Sequence, residues 1–324
     1  MKNPLINRRE MLRTSMLATS AAALSQIPSL SSHAADFDKP VEASMGLTVY
    51  QKDQRILVRY NNHQVLSYRA SSEAKYPYFY PLAGPKSGLS LTTESALPYP
   101  HHRGLWLGCE PLNGGNYWAD NGPDSGQIKT LNLELVTPTA VNNSVTFTQK
   151  CEWIREGSHP LNDERRITIT RPNDQLVFID CQFKLTATED ITIKSAKHAF
   201  FAMRAASDIS PAYGGTLMSS EGAIGAKETY GKTADWCGYF GPRRFRPDVT
   251  EGIVIMNHPE NFGGKCPWFT RDYGHLSPSP FKFLKKPFKL AEGNTLNLSY
   301  RVVLFVGTPH KADLNGVFKS WMNG

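Results

Sequence analysis

Val145-Thr146-Phe147-Thr148-Gln149-Lys150-Cys151-Glu152-Trp153 decides the fold class: Val145, Phe147, Gln149, Cys151 and Trp153 occupy every second position, with polar neighbours between most of them. Period two describes a strand with one face in a core and the other in water. The pattern recurs at Val177, Ile179, Cys181, Phe183 and Leu185, and again at Leu296, Leu298, Tyr300, Val302, Leu304 and Val306. Shorter runs of the same kind lie at 47–50, 55–60, 65–69, 89–92, 128–136, 166–170, 191–194, 200–204 and 252–256. Turn-forming clusters such as Asn61-Asn62, Asn142-Asn143, Pro172-Asn173-Asp174 and Glu292-Gly293-Asn294 separate them. Helical spacing is confined to the tail, where Leu314, Val317, Phe318 and Trp321 give Lys311–Met322 an amphipathic face. A dozen or so strands against one short C-terminal helix predicts an all-β fold, a large antiparallel β-sandwich.

The N-terminus carries a different signal. Arg8-Arg9 precedes a weakly apolar run over 15–24, and Ser32-His33-Ala34 offers small side chains at the −3 and −1 positions of a cleavage site. This order predicts a twin-arginine signal peptide over residues 1–34, handled by the twin-arginine export machinery, and a single β-sandwich domain over 35–324. A span needs about 20 apolar residues, and no later segment supplies them, so a periplasmic or otherwise exported, soluble product without a membrane span is expected. Removing Lys2, Arg8, Arg9, Arg13 and Glu10 leaves +4 of the chain's +7. That mild excess lacks the long basic runs of a nucleic-acid binder, so no nucleic-acid partner is expected. The five cysteines are widely spaced, form no CxxC pair and are odd in number, and no structural disulfide is expected.

Chemistry-bearing residues concentrate outside the alternating stretches. The densest group is Tyr99-Pro100-His101-His102-Arg103-Gly104-Leu105-Trp106-Leu107-Gly108, followed by Asn116-Tyr117-Trp118-Ala119-Asp120. Imidazoles can serve as bases or metal ligands near neutral pH, and a guanidinium can hold a carboxylate. On an extended backbone His101 and His102 would point to opposite faces, so one of the two is expected in a cleft. Lys197-His198 with Arg204, Ser219-Ser220-Glu221-Gly222, and the run from His258 to His275 through Trp268, Arg271 and Tyr273 are the other clusters. Asp163-Glu164-Arg165-Arg166 reads as an ion-paired strand edge. No HExxH, GxSxG, P-loop or GxGxxG pattern is present. No cofactor is expected; a divalent metal on His101, His102, His198, His258 and His275 stays open, because their spacing is too wide to define a site.

At these same residues the chain resembles a bacterial family of unknown function often labelled "methane oxygenase PmoA". The likeness runs through Pro100–Trp106, Asn113–Trp118, Asp163-Glu164-Arg165, Ser220-Glu221-Gly222, Trp236 with Tyr239, His258-Pro259-Glu260-Asn261, Trp268 with Arg271-Asp272-Tyr273-Gly274, and Pro280-Phe281. The label conflicts with a chain that has no span. Where that family usually carries Thr-Lys-Glu-Gly, this chain reads Ser195-Ala196-Lys197-His198. The resemblance implies carbohydrate work. The expected sandwich is also similar to the galactose-mutarotase-like supersandwich, whose members act on sugars through a His and a carboxylate on one concave face.

Together these readings predict an exported carbohydrate-active enzyme, a lyase, hydrolase or epimerase working by general acid–base chemistry. His102 or His198 would be the base and Glu221 the acid, with Arg103, Arg204 and Arg271 holding an anionic or oxidised group. Trp106, Trp118, Trp236 and Tyr273 would stack on sugar rings, and His101, Asn116, Asp120 and His258 would add polar contacts. A periplasmic sugar-binding module without catalysis is the alternative, and the placement of His102, His198 and Glu221 relative to the aromatics discriminates the two.

Overall fold

A computed structural model describes residues 45–122, 124–136 and 143–323, all within the unit Val41–Gly324. The signal peptide expected over 1–34 lies outside the described residues.

The alternating stretches form one eight-stranded antiparallel sheet. Its order is β12 (Thr216–Ser219), β13 (Trp236–Arg243), β14 (Arg246–Asn257), β18 (Thr295–Val306), β9 (Leu176–Ala187), β8 (Ser158–Asn173), β7 (Ser144–Arg155) and β6 (Gln127–Leu135). A second eight-stranded sheet runs β1 (Leu47–Lys52), β2 (Arg55–Tyr60), β3 (His63–Arg69), β4 (Tyr78–Leu82), β5 (Leu105–Glu110), β11 (His198–Arg204), β16 (His275–Pro278) and β15 (Trp268–Thr270). A small ribbon joins β10 (Ile191–Ile193) to β17 (Phe288–Leu290). The predicted sandwich is therefore the observed one.

The inner faces meet through large rings. Phe201 of β11 stacks on Tyr300 of β18 at 4.8 Å and lies 5.5 Å from Phe183 of β9, and Tyr68 of β3 lies 5.1 Å from Phe147 of β7. Val145, Phe147, Cys151 and Trp153 are all buried, as their period-two spacing requires. An ionic network is buried within this apolar layer. Arg165 and Asp163 of β8 pair at 2.6 Å with their side chains 2% and 0% exposed, Trp153 Nε1 donates to Asp163 at 3.1 Å, and Arg165 donates to Tyr68 at 3.1 Å. The Asp163–Arg166 run expected at an edge thus lies on an interior strand, with β9 and β7 on either side. Alternation splits its charges: Asp163 and Arg165 face the core, while Glu164 pairs outward with Lys184 at 2.9 Å.

The predicted C-terminal helix is α2, Leu314–Met322, with Asp313 at its N-cap accepting from Gly316 N; a one-turn helix α1, Gly225–Thr229, precedes it in the chain. Residues Leu314, Val317, Phe318 and Trp321 cover Trp236, Val254, Met256, Val303 and Phe305 on the outer face of the first-described sheet. This explains why the second half of β18 is buried on both faces.

All five cysteines are free and buried. Burial pushes Cys151 and Cys266 up to about 12 and holds Cys109, Cys181 and Cys237 well above the ordinary thiol value. Thiolate, the reactive form, is then scarce at pH 8. Ellman's reagent is expected to find no reactive thiol in the folded protein at pH 8 and all five after denaturation; rapid native labelling would contradict this burial.

Candidate functional site

The site begins with two glycines. Gly104 has φ of 61°, and a Cβ there would sit 2.1 Å from Phe79 O, so only glycine admits the approach of this turn to β4. A Cβ on Gly108 would lie 2.7 Å from Tyr117 O and 3.4 Å from the Trp118 ring. Its absence lets the loop after β5 fold back over that strand. Asn116 shapes the loop: its Oδ1 accepts from Trp118 N at 2.9 Å and Ala119 N at 2.8 Å. The stretch from Pro98 to Gln127, which lies outside the alternating runs, thus contains a central strand, β5, with one loop folded over each end.

Register does the rest. Phe201 faces the core, so its cross-strand partner Leu107 does too, and the alternate residues Trp106, Glu110, His198, Ala202 and Arg204 face outward. Trp106 pairs with Ala202, Glu110 with His198, and Arg204 with His275. The loops lay rings over this face. His102 stacks on His275 at 4.5 Å and on Trp106 at 5.3 Å, Trp118 stacks on His198 at 5.0 Å, and Arg204 lies 4.4 Å from the Tyr273 ring centre. Tyr99 covers His102 and Tyr273 at 5.2 and 5.4 Å and is 39% exposed. His101 also joins the cluster, 4.7 Å from His102, because the backbone here is a turn and both rings reach one side.

Many of these polar atoms have no partner. His102 Nδ1, Trp106 Nε1, Trp118 Nε1, Arg204 Nε and Nη1, and both ring nitrogens of His275 are buried and make no hydrogen bond among the described residues. Burial, with His101, Arg204 and His198 adding positive charge, holds His102 down at about 2. Burial and the same kinds of neighbour hold His275 well below the ordinary histidine range. Both rings are neutral at pH 7.

His198 is different. It is half-buried, and its Nδ1 lies 3.1 Å from Glu110 Oε2. That hydrogen bond lowers the Glu110 carboxyl from its ordinary value, against burial and with the charges of His198, Lys197 and His101. An ionised carboxylate only accepts, so His198 donates from Nδ1 and keeps the lone pair on Nε2. Beside this pair Arg103 binds Asp120 at 2.8 Å and flanks an open cleft of about 630 Å³ together with Lys75 and Tyr78. Lys75 donates to Asn116 O at 3.0 Å and Ser125 Oγ at 2.7 Å, and burial pulls its ammonium down to about 8.

Of the predicted site residues, His101, His102, Trp106, Trp118, His198, Arg204 and Tyr273 come together, with Arg103, Asn116 and Asp120 at their border. Arg271 lies against Phe269 at 4.1 Å and Tyr230 at 5.0 Å, one ring removed from His275. Three residues do not join. Glu221 is on an exposed turn, bound to Ser220 and Lys265. Trp236 lies beneath α2, its indole nitrogen donating to Asn315 at 2.9 Å. His258 packs edge-on against Trp321 at 5.1 Å. All three leave from strands of the other sheet, which α2 covers in part. Glu110 and Lys75 were missing from the predicted set, and Tyr99 and His275 were named in its clusters, His275 as an open metal ligand, without a catalytic or sugar-binding role. Glu110 was within reach, since Trp106, Gly108 and Glu110 share one face of an extended segment.

Among the described residues no group of three or more His, Cys, Asp or Glu side chains is arranged to hold a metal ion. A second concavity, of about 480 Å³, lies on the outer face of β6 to β9 and β18 and is lined by Lys150, Glu164, Arg166, Gln182 and Lys184. It is the solvated face of an antiparallel sheet and contains no imidazole.

No protein of curated function matches the sequence. Solved structures with distant likeness include a putative kojibiose phosphorylase from human microbiome, at 10% identity and TM-score 0.35 over 86% of this chain and 37% of that one. Others are the heparan sulfate lyase HepC from Pedobacter heparinus, at 11%, 0.36, 91% and 42%, and a GalM/aldose epimerase homologue from C. elegans, at 10%, 0.34, 82% and 99%, in the same order. The chain spans about two fifths of the length of the first two, and at such identities none of them assigns an activity. Sequence comparison is more direct: residues 51–319 match one family throughout, and the chain belongs to that family of unknown function, DUF6807.

Proposed function

We propose that this protein is an exported carbohydrate-processing enzyme that works by general acid–base chemistry on the outer face of β5 and β11. The observation that carries the reading is the Glu110–His198 pair beside Trp118. A carboxylate holding Nδ1–H fixes the tautomer and orientation of the ring and leaves Nε2 as a base. Of the two candidate bases, His102 is too weak at pH 7 to carry a proton, so the role falls to His198. Lys75, near 8, is protonated at neutral pH and is the proton donor the adjoining cleft offers; Glu221, held by Lys265, has no place in this scheme. Indole and phenol rings beside many convergent polar groups suit a sugar, which has apolar C–H faces and hydroxyl edges. The scheme runs on side chains alone. His102 and His275 are stacked with 20° between their planes, so their in-plane lone pairs do not converge on a point between the rings, as a shared metal would require.

Proton NMR of the protein with a panel of glycosides and modified sugars tests the reading. Turnover by the wild type that disappears in His198→Ala is expected; a sugar bound but left unchanged would turn the assignment to a binding module.

The "methane oxygenase" label has no part in this proposal; among the described residues no helix is long and apolar enough to cross a membrane. Periplasmic location by the twin-arginine route remains part of it. The Arg8→Lys, Arg9→Lys double variant is expected to stay in the cytoplasm when fractions are blotted, because the export receptor reads that pair. Undiminished export of the variant would remove this element.

A further inference from the structure

The geometry points to Arg204 as the binding group for an oxyanion substituent, a carboxylate or a sulfate ester, on the sugar that the proposed function brings to this site. The inference rests on that reading for the word sugar and on separate observations for the charge.

Arg204 is 5% exposed, and two of its guanidinium nitrogens are buried without a hydrogen bond among the described residues. Three other buried guanidiniums have a carboxylate near by: Arg165 has Asp163 at 2.6 Å, Arg243 has Asp208 at 3.3 Å, and Arg171 has Asp174 at 3.9 Å, although Arg243 Nε and Nη1 and Arg171 Nε likewise make no hydrogen bond to the described residues. No carboxylate lies within ion-pair distance of Arg204 among the described residues. What faces it is Tyr273 at 4.4 Å, with Tyr99, Tyr213 and Tyr239 near by and the neutral rings of His102 and His275 in the same cluster. A buried charge without a counter-ion is costly, and such a cost persists in a native protein mainly where a ligand removes it.

The unpartnered atoms around Arg204 have a definite chemistry. Indole nitrogens only donate, guanidinium nitrogens only donate, and a neutral imidazole offers one donor and one acceptor. Trp106, Trp118, Arg204, His102 and His275 therefore present more donors than acceptors, and the missing partner is rich in acceptors and negatively charged. Carboxylate and sulfate both answer this description; a neutral sugar, whose hydroxyls donate as often as they accept, answers it less well. Tyr99 gives the way in. It is the exposed ring of the stack, lying across His102 and Tyr273 on the turn before Gly104, so its displacement uncovers the group beneath.

Thermal unfolding of the full protein, free and with D-glucuronate, D-glucose 6-sulfate or D-glucose, tests the assignment. Free Arg204→Met is expected to melt higher than wild type, by about 2 °C or more, because an uncompensated buried charge is replaced by a side chain of similar reach. Wild type should gain Tm with glucuronate or the sulfate and not with glucose, and Arg204→Met should lose that gain. A response to glucuronate alone assigns a carboxylate; a response to the sulfate alone assigns a sulfate ester. Arg204→Lys, which keeps the charge and loses the planar fork, should keep a weakened response. A lower Tm for Arg204→Met, an equal response to glucose, or no response to either charged sugar overturns the assignment. Turnover separates this from the catalytic reading: an Arg204-dependent gain in Tm with a charged sugar, in a wild type that leaves every sugar of the panel unchanged, would leave the Arg204 assignment standing and the enzyme reading fallen.

Discussion

His198→Ala is expected to lower turnover by about 100-fold or more while leaving the melting temperature close to that of the wild type. The rate loss is the usual contribution of one positioned acid–base group. Stability should change little because His198 is half-buried, on a rim. Glu110→Gln separates base from positioner. The amide can still meet Nδ1, but it no longer compels that nitrogen to carry the proton, so kcat should fall more than KM rises. The sign of the pH dependence follows from the lowered Glu110 carboxyl. A carboxylate whose folded value is depressed contributes while it is ionised and stops contributing as pH falls through that value. The orienting effect should therefore be complete at neutral pH and be lost only in acid, below the ordinary 4.5. Steady-state rates across pH check this. Full activity in Glu110→Gln, with an unaltered acid limb, would remove the pair from the mechanism.

The largest loss of stability is expected from Asp163→Ala. Asp163 is fully buried between the sheets, where it accepts from Arg165 Nε at 3.1 Å, from Arg165 Nη2 at 2.6 Å and from Trp153 Nε1 at 3.1 Å. Removing it strands the Arg165 guanidinium in the core with Tyr68 as its remaining hydrogen-bond partner among the described residues. Breaking one half of a buried pair costs about 3 to 5 kcal/mol, because the remaining charge is left without compensation. For a domain of this size that corresponds to a fall in Tm of about 10 °C. The double variant Asp163→Leu, Arg165→Met should recover much of the loss, since it removes both charges. Urea unfolding of the three proteins decides the matter: a single variant no less stable than the double would show that the network is not held by its charges.

What could be read in the sequence alone was most of the sheet built from β6 to β9, β14 and β18, the strands β1 to β3 and β11 of the other sheet, and the C-terminal helix. Strands β6 to β9 have one face in the core and one in water for most of their length, so Val145 to Trp153 or Val177 to Leu185 betray themselves by alternation. The sandwich, its antiparallel pairing and α2 follow. The rest of the other sheet is much less legible, because β5, β15 and β16 are buried on both faces. Leu105, Trp106, Leu107, Gly108 and Cys109 are buried without a break, and no period survives when a loop replaces water on the outer face. For the same reason the richest cluster of chemistry, from Tyr99 to Asp120, shows no alternation although it contains a central strand. Its types were visible, and so was the concentration of imidazole, indole and guanidinium. Their partners were not: Glu110 meets His198 across 88 residues of chain, and His275 meets His102 only because β11 lies between β5 and β16. Glu221, Trp236 and His258 share the composition of the site and were assigned to it, yet they issue from strands of the opposite sheet. Local spacing specifies which face of a strand a residue occupies. Which strands become neighbours is decided by packing between sheets, and only that brought the carboxylate to the imidazole and left Arg204 without one.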